Sequence, residues 1–509
     1  MTPDDSGDRF DVRLVPAAVS GWAATAAGIL WGVGAAAAAV LTVAAATAGA
    51  ARWARARAAP AATAGIGAVL GGVVVGAGFT VAIGLRVDDL REHPLVTRYG
   101  TSATVIVTPT ESPRPVGAGR LMFRAALDEL DGDEISGRVV VFGSAAGFAE
   151  VTAGRPAGFR ARIDRPRRRD LTVAVLTAAG RPTLGEASAI DRAAHRVRAG
   201  FAESARRVLP ADQASILPAL VLGDTSTVSG QTTADFRASG LAHLTAVSGA
   251  NVTIVCGAVL AGAALVGPRA AVALAAVALI AFVVVVQPSA SVLRAAAMGA
   301  VTLLAVLSHR PRQAIPALSA SVIALIVVVP ALAVDVGFAL SVSATAALVV
   351  VAPRWSRRLT ARDWPKPLAD AVSVAAAAQL ATAPLIAGVS GTFSVVSVVA
   401  NIAVAVVIPP ITVIGTAAAA LGVLWPQGAQ LLIRFTGPEV WWLLRVAGWA
   451  AGVPGASIPV PSGAVGALLL AVTAGVVLMT WRRRWFRLGA AAVVVCLIAW
   501  TLSGAVGWA

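Results

Sequence analysis

The chain has 509 residues, of which 57% are hydrophobic and 13% charged, with a mean hydropathy of +0.80. A soluble domain carries about 25% charged residues, so this composition excludes an ordinary soluble globular protein. Apolar runs such as 270–286 and 314–334 approach the roughly 20 residues that a helix needs to cross a bilayer. The sequence therefore predicts a polytopic α-helical membrane protein with about 10 to 12 spans.

The N-terminal region, residues 1–85, predicts a membrane hairpin followed by a third span. Residues 17–50 are apolar but interrupted near LWGVG at 30–34, which favours two short helices over one long helix. The arginine-rich stretch 52–58 is typical of a cytoplasmic loop, because short cytoplasmic loops carry an excess of positive charge. A third span over about 61–85 then places the following segment outside the cytoplasm.

Residues 86–187 predict a small all-β extracytoplasmic domain. Short β-branched runs, among them SATVIVTPT (102–110) and GRVVVFGS (137–144), are separated by Gly, Pro and Asp. The number and spacing of these runs fit either an OB-like five-stranded barrel or a small sandwich.

The second half of this β domain is strongly basic. Such a surface is typical of single-stranded nucleic-acid binding through phosphates, and the alternative is contact with anionic lipid headgroups. Few aromatic side chains accompany it, with Phe142, Phe148 and Phe159 as the nearby candidates for base stacking. The candidate DNA-binding residues share one short stretch of the chain and are Arg155, Arg160, Arg162, Arg165, Arg167, Arg168 and Arg169.

Residues 188–209 predict an amphipathic helix with Ser188 as its N-cap and Pro210 after its end. Apolar residues repeat every three to four positions, and arginines lie on the other face. Such a helix lies in the membrane interface or docks on a helical bundle, and direct ligand contact is the less common alternative.

Residues 210–425 predict the main membrane region, and 426–509 a Trp-rich interfacial segment with C-terminal spans. The paired Pro409 and Pro410 must break or kink a helix. Arginine-rich stretches at 308–313, 353–362 and 481–487 indicate cytoplasmic loops. The expected spans lie near 244–266, 270–287, 290–308, 314–332, 335–352, 371–389, 395–424, 463–481 and 486–507.

Several polar residues fall within these apolar runs, where unpartnered polar groups cost several kcal/mol. In GLAHLTAVSGANVTIVCG (240–257), the spacing of Thr245, Ser248 and Asn251 predicts one shared helix face. Each polar residue can simply hold two membrane helices together by a hydrogen bond. Taken together, these residues favour a polar pathway through the membrane region. The further candidates are Arg294, Asp335, Gln379 and Asn401.

The stretch LVLGDTSTVSGQTTADFRASGLAHLTAVSGANVTIVCG (220–257) resembles the signature of the ComEC family, the DNA-internalisation channels of natural competence. PSASVLRAAAMG, VDVGFALSVSATAAL and AAQLATAPLIAGVSGTFSVVSVVANIAVAVVIPP then follow in the order of that family. The resemblance covers about residues 10–425. Asn251 departs from it, because relatives carry histidine there. The signature positions that this chain supplies include Asp224, Arg237, His243, Ser248 and Gly249.

The resemblance implies a channel in the bacterial cytoplasmic membrane that passes single-stranded DNA inward, with an OB-like domain outside. Arg294 would contact phosphates, with Asp335 as its partner when no strand is bound. A transporter of another polar or anionic solute, or a non-transporting scaffold for DNA-processing partners, is the alternative.

The resemblance also implies a short form, because many relatives carry a C-terminal metallo-β-lactamase-like domain whose metal ligands four scattered histidines cannot supply. We therefore expect no enzymatic activity, no metal and no cofactor. The expected partners are single-stranded DNA and membrane lipid, with a separate DNA receptor, a nuclease and a cytoplasmic motor.

Overall fold

The computed structural model describes residues 11–56, 62–245, 247, 249–263, 266–307 and 313–480. The predicted span 486–507 and most of the arginine-rich stretches 308–313 and 481–487 lie outside these residues. Internal contacts divide the chain into two units. Unit 1 comprises 1–227, 246–342 and 412–436, and unit 2 comprises 228–245, 343–411 and 437–509.

Three helices open unit 1: α1 (Val15–Trp31), α2 (Val33–Ala56) and α3 (Ala62–Arg91). They pack against one another, and the chain reverses between α1 and α2 at Gly32. The structure therefore has three helices where the sequence predicts a hairpin and a third span; that these helices cross a membrane stays a prediction. Trp22 of α1 donates its indole N–H to the Ala333 carbonyl at 2.8 Å and lies edge-on to Phe338, which ties α1 to a later segment of unit 1.

A β domain follows α3. Its long strands are β1 (Ser102–Pro109), β3 (Arg120–Leu130), β4 (Asp133–Ser144), β5 (Ala157–Asp164) and β6 (Ala174–Leu184). A two-residue strand, β2 (Arg114–Pro115), extends the sheet beside β3, and a short helix, α4 (Ala145–Phe148), follows β4. This domain begins and ends close to the predicted bounds.

The sheet closes into a barrel. Its order is β1-β5-β6-β4-β3, and β3 pairs back with β1. All of these pairings are antiparallel except the parallel pair β4–β6. The sequence left a barrel and a sandwich open; the closed five-stranded barrel is the architecture expected of an OB-like domain.

Alternating burial along each strand produces the barrel core. β1 and β5 bury every second residue, so the apolar side chains point inward and the polar ones outward. Phe123, Phe148 and Leu127 are at most 1% exposed in this core. The rest of the core is built from Phe159 and from Val, Ala, Leu and Ile side chains, most of them on the five strands.

A tight turn of Asp131 and Gly132 joins β3 to β4. Both residues have positive φ, 51° and 96°, as a two-residue type I′ hairpin requires. Asp131 also accepts a hydrogen bond from the Thr104 amide at 2.9 Å and pairs with Arg98 at 2.5 Å. The turn thus holds the β3–β4 hairpin to β1 and to the segment that leaves α3.

The predicted amphipathic helix is confirmed as α5 (Ala189–Val208), whose first turn is capped by the Ser188 hydroxyl, which accepts from the Asp191 amide at 3.1 Å. Its buried face, including Phe201 and Ala205, packs against α6 (Ala211–Leu222), α9 (Pro268–Val286) and α17 (Pro426–Phe435). The helix therefore docks on other helices of unit 1.

The remaining helices of unit 1 are α8 (Gly249–Gly262), α10 (Ala290–Leu307) and α11 (Ala314–Val328). α12 (Val336–Val350) begins in unit 1 and ends in unit 2, and α16 (Ile408–Leu421) begins in unit 2 and ends in unit 1.

Unit 2 contains α7 (Gly230–Ala238), α13 (Ala352–Thr360), α14 (Lys366–Ser390), α15 (Ser397–Val404), α18 (Gly437–Gly452) and α19 (Ala464–Thr480). Its short strands β7 (Thr392–Ser394) and β8 (Ser457–Pro459) pair antiparallel.

The predicted helix break at Pro409 and Pro410 is present, at a slightly different place. α15 ends at Val404, and both prolines lie in the first turn of α16, where a missing amide hydrogen costs nothing. The two helices bend by 54° at this break.

Five helices of the described residues are long and apolar enough to cross a membrane, or six if α15 and α16 form one broken span. Only 11% to 33% of the residues in each of the five are buried, so most of their apolar surface faces outward, as in lipid-contacting helices. Six shorter apolar helices accompany them. The count of 10 to 12 spans requires those shorter helices and stays a prediction.

Candidate nucleic-acid interface and membrane polar clusters

The seven arginines predicted from the sequence do not form one surface. Arg160 and Arg162 point outward from β5, alternating with buried Phe159, Ala161 and Ile163. Arg165, Arg167, Arg168 and Arg169 are exposed in the loop between β5 and β6, and Arg155 lies in the loop before β5. These arginines therefore belong to one strand face and two loops.

Three of these arginines have structural partners. Arg169 donates to the Leu30 carbonyl at the C-terminal end of α1 at 2.6 Å, where a positive charge also complements the helix dipole. Arg155 donates to the Gly185 carbonyl at 2.9 Å, and Arg162 pairs with Asp164 at 3.3 Å. Arg169 thus holds the barrel loop against a membrane helix.

Two of the three aromatic candidates are core residues. Phe148 and Phe159 are 0% and 5% exposed and stack edge-to-face inside the barrel, so neither is placed to stack on a base. Phe142 is half-buried, and the Arg120 guanidinium lies over its ring at 5.2 Å from the centroid.

This pair belongs to a basic surface that the sequence reasoning missed. In the β3–β4 register, Met122 lies opposite Phe142, Arg124 opposite Val140 and Ala126 opposite Arg138. Arg120, Arg124 and Arg138 are exposed, while Phe142 is only half-buried. The outer faces of β3 and β4, named here the β3–β4 face, therefore combine three guanidinium groups with an aromatic ring. The available signal in the sequence was spacing. Arg120 and Arg124 in RLMFRAAL are an even number of residues apart and so share one face of a strand, as do Arg138 and Phe142 in GRVVVF.

The β3–β4 face also has acidic neighbours. Glu111 lies 3.4 Å from Arg114 and 4.0 Å from Arg124, and it accepts from the Arg124 amide. Partial desolvation of the guanidinium and the neighbouring Arg124 lower the pKa of Arg138, and the nearby carboxylates of Asp170 and Asp335 partly offset that effect. Anionic partners of the β3–β4 face therefore compete with carboxylates of the same unit.

The barrel and α5 contact the ends of membrane helices in unit 1. The Ser112 amide and hydroxyl are hydrogen bonded to the side chain of Gln287, directly after α9. Arg198 of α5 donates to the Val285 carbonyl in the last turn of α9 at 2.8 Å. The loop that flanks the β3–β4 face is thus fixed to a helix end.

The signature segment is not one continuous helix. His243 lies in a short 3-10 turn (Ala242–Leu244) with Nδ1 3.2 Å from the Gly240 carbonyl, and Thr245 follows that turn. α8 begins only at Gly249, and Val247, between the 3-10 turn and this helix, is not helical. The prediction that Thr245, Ser248 and Asn251 share one helix face is therefore wrong. Ser248 itself lies outside the described residues.

The other signature residues are spread over both units. Asp224 is half-buried after α6 and accepts from the Ser226 amide at 3.1 Å. Arg237 is exposed in the last turn of α7 in unit 2.

Asn251 is 5% exposed in the first turn of α8 and connects three elements of unit 1. Its amide donates to the Leu220 carbonyl of α6 at 3.1 Å, and its carbonyl oxygen lies 3.5 Å from the Thr412 hydroxyl of α16. The Leu220 carbonyl belongs to the last turn of α6, where carbonyls lack partners within the helix. Asn251 therefore satisfies a buried helix end.

Arg294 is the buried cation of this region, with 5% of its surface exposed. Its Nε donates to the Ser341 hydroxyl of α12 at 2.8 Å, and Nη1 contacts the sulfur of Met298 at 3.2 Å. Nη2 lies against the first residue of α8, where a Cβ on Gly249 would approach it to 2.8 Å. The guanidinium therefore sits where α8, α10 and α12 meet.

Asp335 serves as a helix cap. Its carboxylate accepts from the Phe338 amide at 2.8 Å at the start of α12. The ion pairs of the described residues include none between Asp335 and Arg294. The hypothesis that these two residues pair is therefore not supported, because the carboxylate is engaged by the helix N-terminus.

Gln379 and Asn401 meet in a separate polar cluster inside unit 2. The Ser397 hydroxyl donates to the Gln379 side chain at 3.0 Å, and the Asn401 amide donates to the Ser397 carbonyl at 2.8 Å. Gln379 also donates to the Ser394 carbonyl at 3.2 Å. A Cβ on Gly240 would come within 2.4 Å of the Ser397 hydroxyl. This glycine of the signature segment therefore packs against the cluster. Ser394 and Ser397 were missed by the sequence reasoning.

The described residues contain no group of three or more His, Cys, Asp or Glu side chains that could hold a metal ion. Apolar helices, buried polar clusters and a basic five-stranded barrel together define a helical membrane protein with a β-barrel domain inserted after its third helix.

The competence protein family model matches residues 220–485, which include the signature segment and both polar clusters. The chain belongs to the competence protein family. No curated protein and no solved structure matches the chain.

Proposed function

We propose that this protein takes up DNA in natural transformation by passing single-stranded DNA inward through the cytoplasmic membrane. The membership of the competence family is the observation that carries the proposal. The basic β3–β4 face and the buried polar residues supply the two kinds of surface that a polyanion needs, one for collection and one for passage.

The β3–β4 face suits single-stranded DNA in its chemistry. Arg120, Arg124 and Arg138 can neutralise successive phosphates, and Phe142 offers a ring for stacking. Short barrels of this type bind oligonucleotides on the corresponding sheet face and adjoining loops. Arg114 lies in β2 beside β3, and the loop between β5 and β6 carries Arg165, Arg167, Arg168 and Arg169.

The orientation follows from charge. The arginine-rich stretches near 52–58 and 353–362 are expected in the cytoplasm by the positive-inside rule. We propose that α3 crosses the membrane once between the first of these stretches and the barrel, so that the barrel would lie outside. The strand would meet the β3–β4 face before it reaches the membrane helices.

Within the membrane, Arg294 is the residue proposed to contact phosphates during passage. A guanidinium at the junction of α8, α10 and α12 has no carboxylate bonded to it among the described residues, so an anion can replace its weak contact with Met298. Asn251 is proposed to hold together the helices of unit 1 near Arg294, and the Gln379–Ser397–Asn401 cluster to hold together helices within unit 2.

The protein is proposed to act as a conduit without enzymatic activity of its own. A separate receptor, a nuclease that degrades the other strand and a cytoplasmic motor would then be required. Membrane lipid is the remaining expected partner.

The test is a transformation assay in a strain that lacks this gene, rescued by the wild-type chain or by variants. We expect rescue by the wild-type chain and loss of labelled DNA uptake with Arg294→Met at equal protein levels. Normal transformation without the protein would contradict the proposal. Uptake of labelled small anionic solutes in place of DNA would favour a solute transporter, and DNA-independent recruitment of a nuclease would favour a scaffold.

A further inference from the structure

A basic hairpin connects two of the membrane helices in unit 2. Residues 351–366, named here the arginine hairpin, contain α13 and lead into α14. They carry five basic side chains and one acidic side chain, Asp363. The basic residues of the hairpin are Arg354, Arg357, Arg358, Arg362 and Lys366.

α13 has two distinct faces. Ala352 and Ser356 are buried, and Trp355 packs on the apolar cluster formed with Ala347 and Ala377. Ser356 donates a hydrogen bond to Asp370 of α14, which closes the hairpin. The opposite face is exposed, so the arginine side of the helix has a fixed orientation.

Three arginines on that exposed face line one cavity. Arg354, Arg357 and Arg358 are spaced by three and four residues, so they lie on one stripe of the helix. Together with Ala361 they surround an open cavity of about 320 Å³. The lining is therefore made mainly of arginine side chains, whose planar guanidinium groups bind oxyanions such as phosphates through paired hydrogen bonds.

The hairpin contains the C-terminal part of one candidate span, α13, and the short connection to the next. The candidate spans are Val336–Thr360 and Lys366–Ser390, and only residues 361–365 separate them. A connection this short between two spans lies at the membrane surface, and the arginines of α13 directly before it can reach the level of the lipid headgroups. Trp364, which is 41% exposed, is of the type enriched at that level.

From the cavity, its charge and its position, we infer that the arginine hairpin binds the phosphodiester headgroup of an anionic phospholipid. Arg357 and Arg358 coordinate the phosphate oxygens, and Arg354 completes the cavity while donating to the Val350 carbonyl at the end of α12. The acyl chains lie along the exposed apolar surface of α12 and α14. This site does not depend on a role in DNA uptake.

The experiment uses the purified full-length chain in detergent with phosphatidylglycerol or phosphatidylcholine, and native mass spectrometry to measure retained lipid. The test variant is Arg357→Gln/Arg358→Gln. The matched control is Arg362→Gln/Lys366→Gln, which removes the same charge from the same hairpin but not from the cavity. Binding of a fluorescent single-stranded oligonucleotide is measured on all three proteins.

We expect the wild-type chain to retain phosphatidylglycerol over phosphatidylcholine. Because each arginine near an anionic lipid contributes about fivefold in affinity, the test variant should lose roughly 30-fold. The control should stay within about threefold, because neither of its side chains lines the cavity. Unfolding temperatures show whether both variants are folded, and Arg358→Gln alone provides a milder change in the same direction.

Three results would overturn the inference. Equal retention of phosphatidylcholine would remove the requirement for an anionic headgroup. Equal losses of phosphatidylglycerol in the test and control variants would show that the hairpin attracts lipid only through its total charge and has no specific site. A test variant that keeps its lipid but loses the oligonucleotide would assign these arginines to DNA.

Discussion

Gly249 and Arg294 are in direct steric contact: a Cβ at position 249 would lie 2.8 Å from the Nη2 atom of the arginine. α8 therefore begins with glycine because a guanidinium from α10 occupies the space where a side chain would be. Since the two residues lie far apart in sequence and meet through packing, this contact allows their coupling to be measured.

The first prediction concerns this contact. Gly249→Ala should destabilise the protein by about 1–3 kcal/mol, because an added methyl group forces a packed neighbour to move. Combined with Arg294→Gln, whose shorter side chain vacates the space, the alanine should cost less than it does alone. Gly257→Ala on the same helix is the control, because nothing lies within 4 Å of a Cβ there. Additive effects in thermal unfolding would contradict the contact.

The second prediction separates function from stability at Arg294. Arg294→Met removes a buried charge but keeps a long apolar side chain, so the free energy of unfolding should stay unchanged or rise. DNA uptake should nevertheless fall at least about tenfold if the guanidinium contacts phosphates in transit. Ser341→Ala, which removes the acceptor of Nε but keeps the guanidinium, should reduce uptake less. Normal uptake by a folded Arg294→Met protein would rule out the role of this residue.

The third prediction compares two faces of the barrel. Arg120→Gln/Arg124→Gln should weaken single-stranded DNA binding by the full-length protein. Because single strands release about 0.7 counterion per phosphate contact, the slope of log K against log salt should fall by about 1.4. Arg160→Gln/Arg162→Gln on β5 is the matched control. A larger loss of DNA binding with the β5 pair would show that the interface consists of the arginines predicted from the sequence.

The fourth prediction uses the acidic neighbour of the β3–β4 face. Glu111 pairs with Arg114 and Arg124, so Glu111→Gln should free both guanidinium groups for phosphates. DNA affinity should rise about two- to fivefold, as for removal of a weak exposed ion pair. Asp133→Asn, at an exposed position on the hairpin without such a pair in the described residues, is the control. A fall in affinity with Glu111→Gln would show that the carboxylate organises the site.

The fifth prediction is a pH dependence of barrel stability. The Thr104 amide and Arg98 lower the pKa of Asp131, so its carboxylate contributes stability that is present above the unfolded-state pKa. That contribution should be lost as the pH falls below about 4, through the lowered folded-state pKa. Asp131→Asn keeps a residue that tolerates positive φ but should lack this component. Identical acid sensitivity of the two proteins would contradict the assignment.

Local patterns predicted most of the elements. The alternation in 102–110 and 170–179 and the Gly, Pro and Asp breaks between the runs indicated the barrel strands. Ser188 and Pro210 marked the two ends of α5, because caps and helix breakers act within a single turn.

Contacts between distant segments could not be predicted from these patterns. The β3–β4 face depends on the register between two strands, so Arg120 and Phe142 meet although each looked unremarkable alone. Arg169 was predicted to bind DNA, but it donates to the carbonyl of Leu30, which lies at the end of α1. The break before Gly249 was not predicted, because helical spacing was assumed to include Thr245. The chain instead forms a short 3-10 turn at Ala242–Leu244 before α8 begins.

Arg169 and Arg198 both attach to main-chain carbonyls, those of Leu30 and Val285, at the ends of membrane helices. A carbonyl is present whichever amino acid occupies the position, so residues 30 and 285 can drift through evolution without loosening the attachment. The same property would let the barrel and α5 be grafted together onto the membrane region of a distant relative, provided that the helix ends keep their spacing. By contrast, the bond between Ser112 and Gln287 joins two side chains and would have to be transferred as a pair.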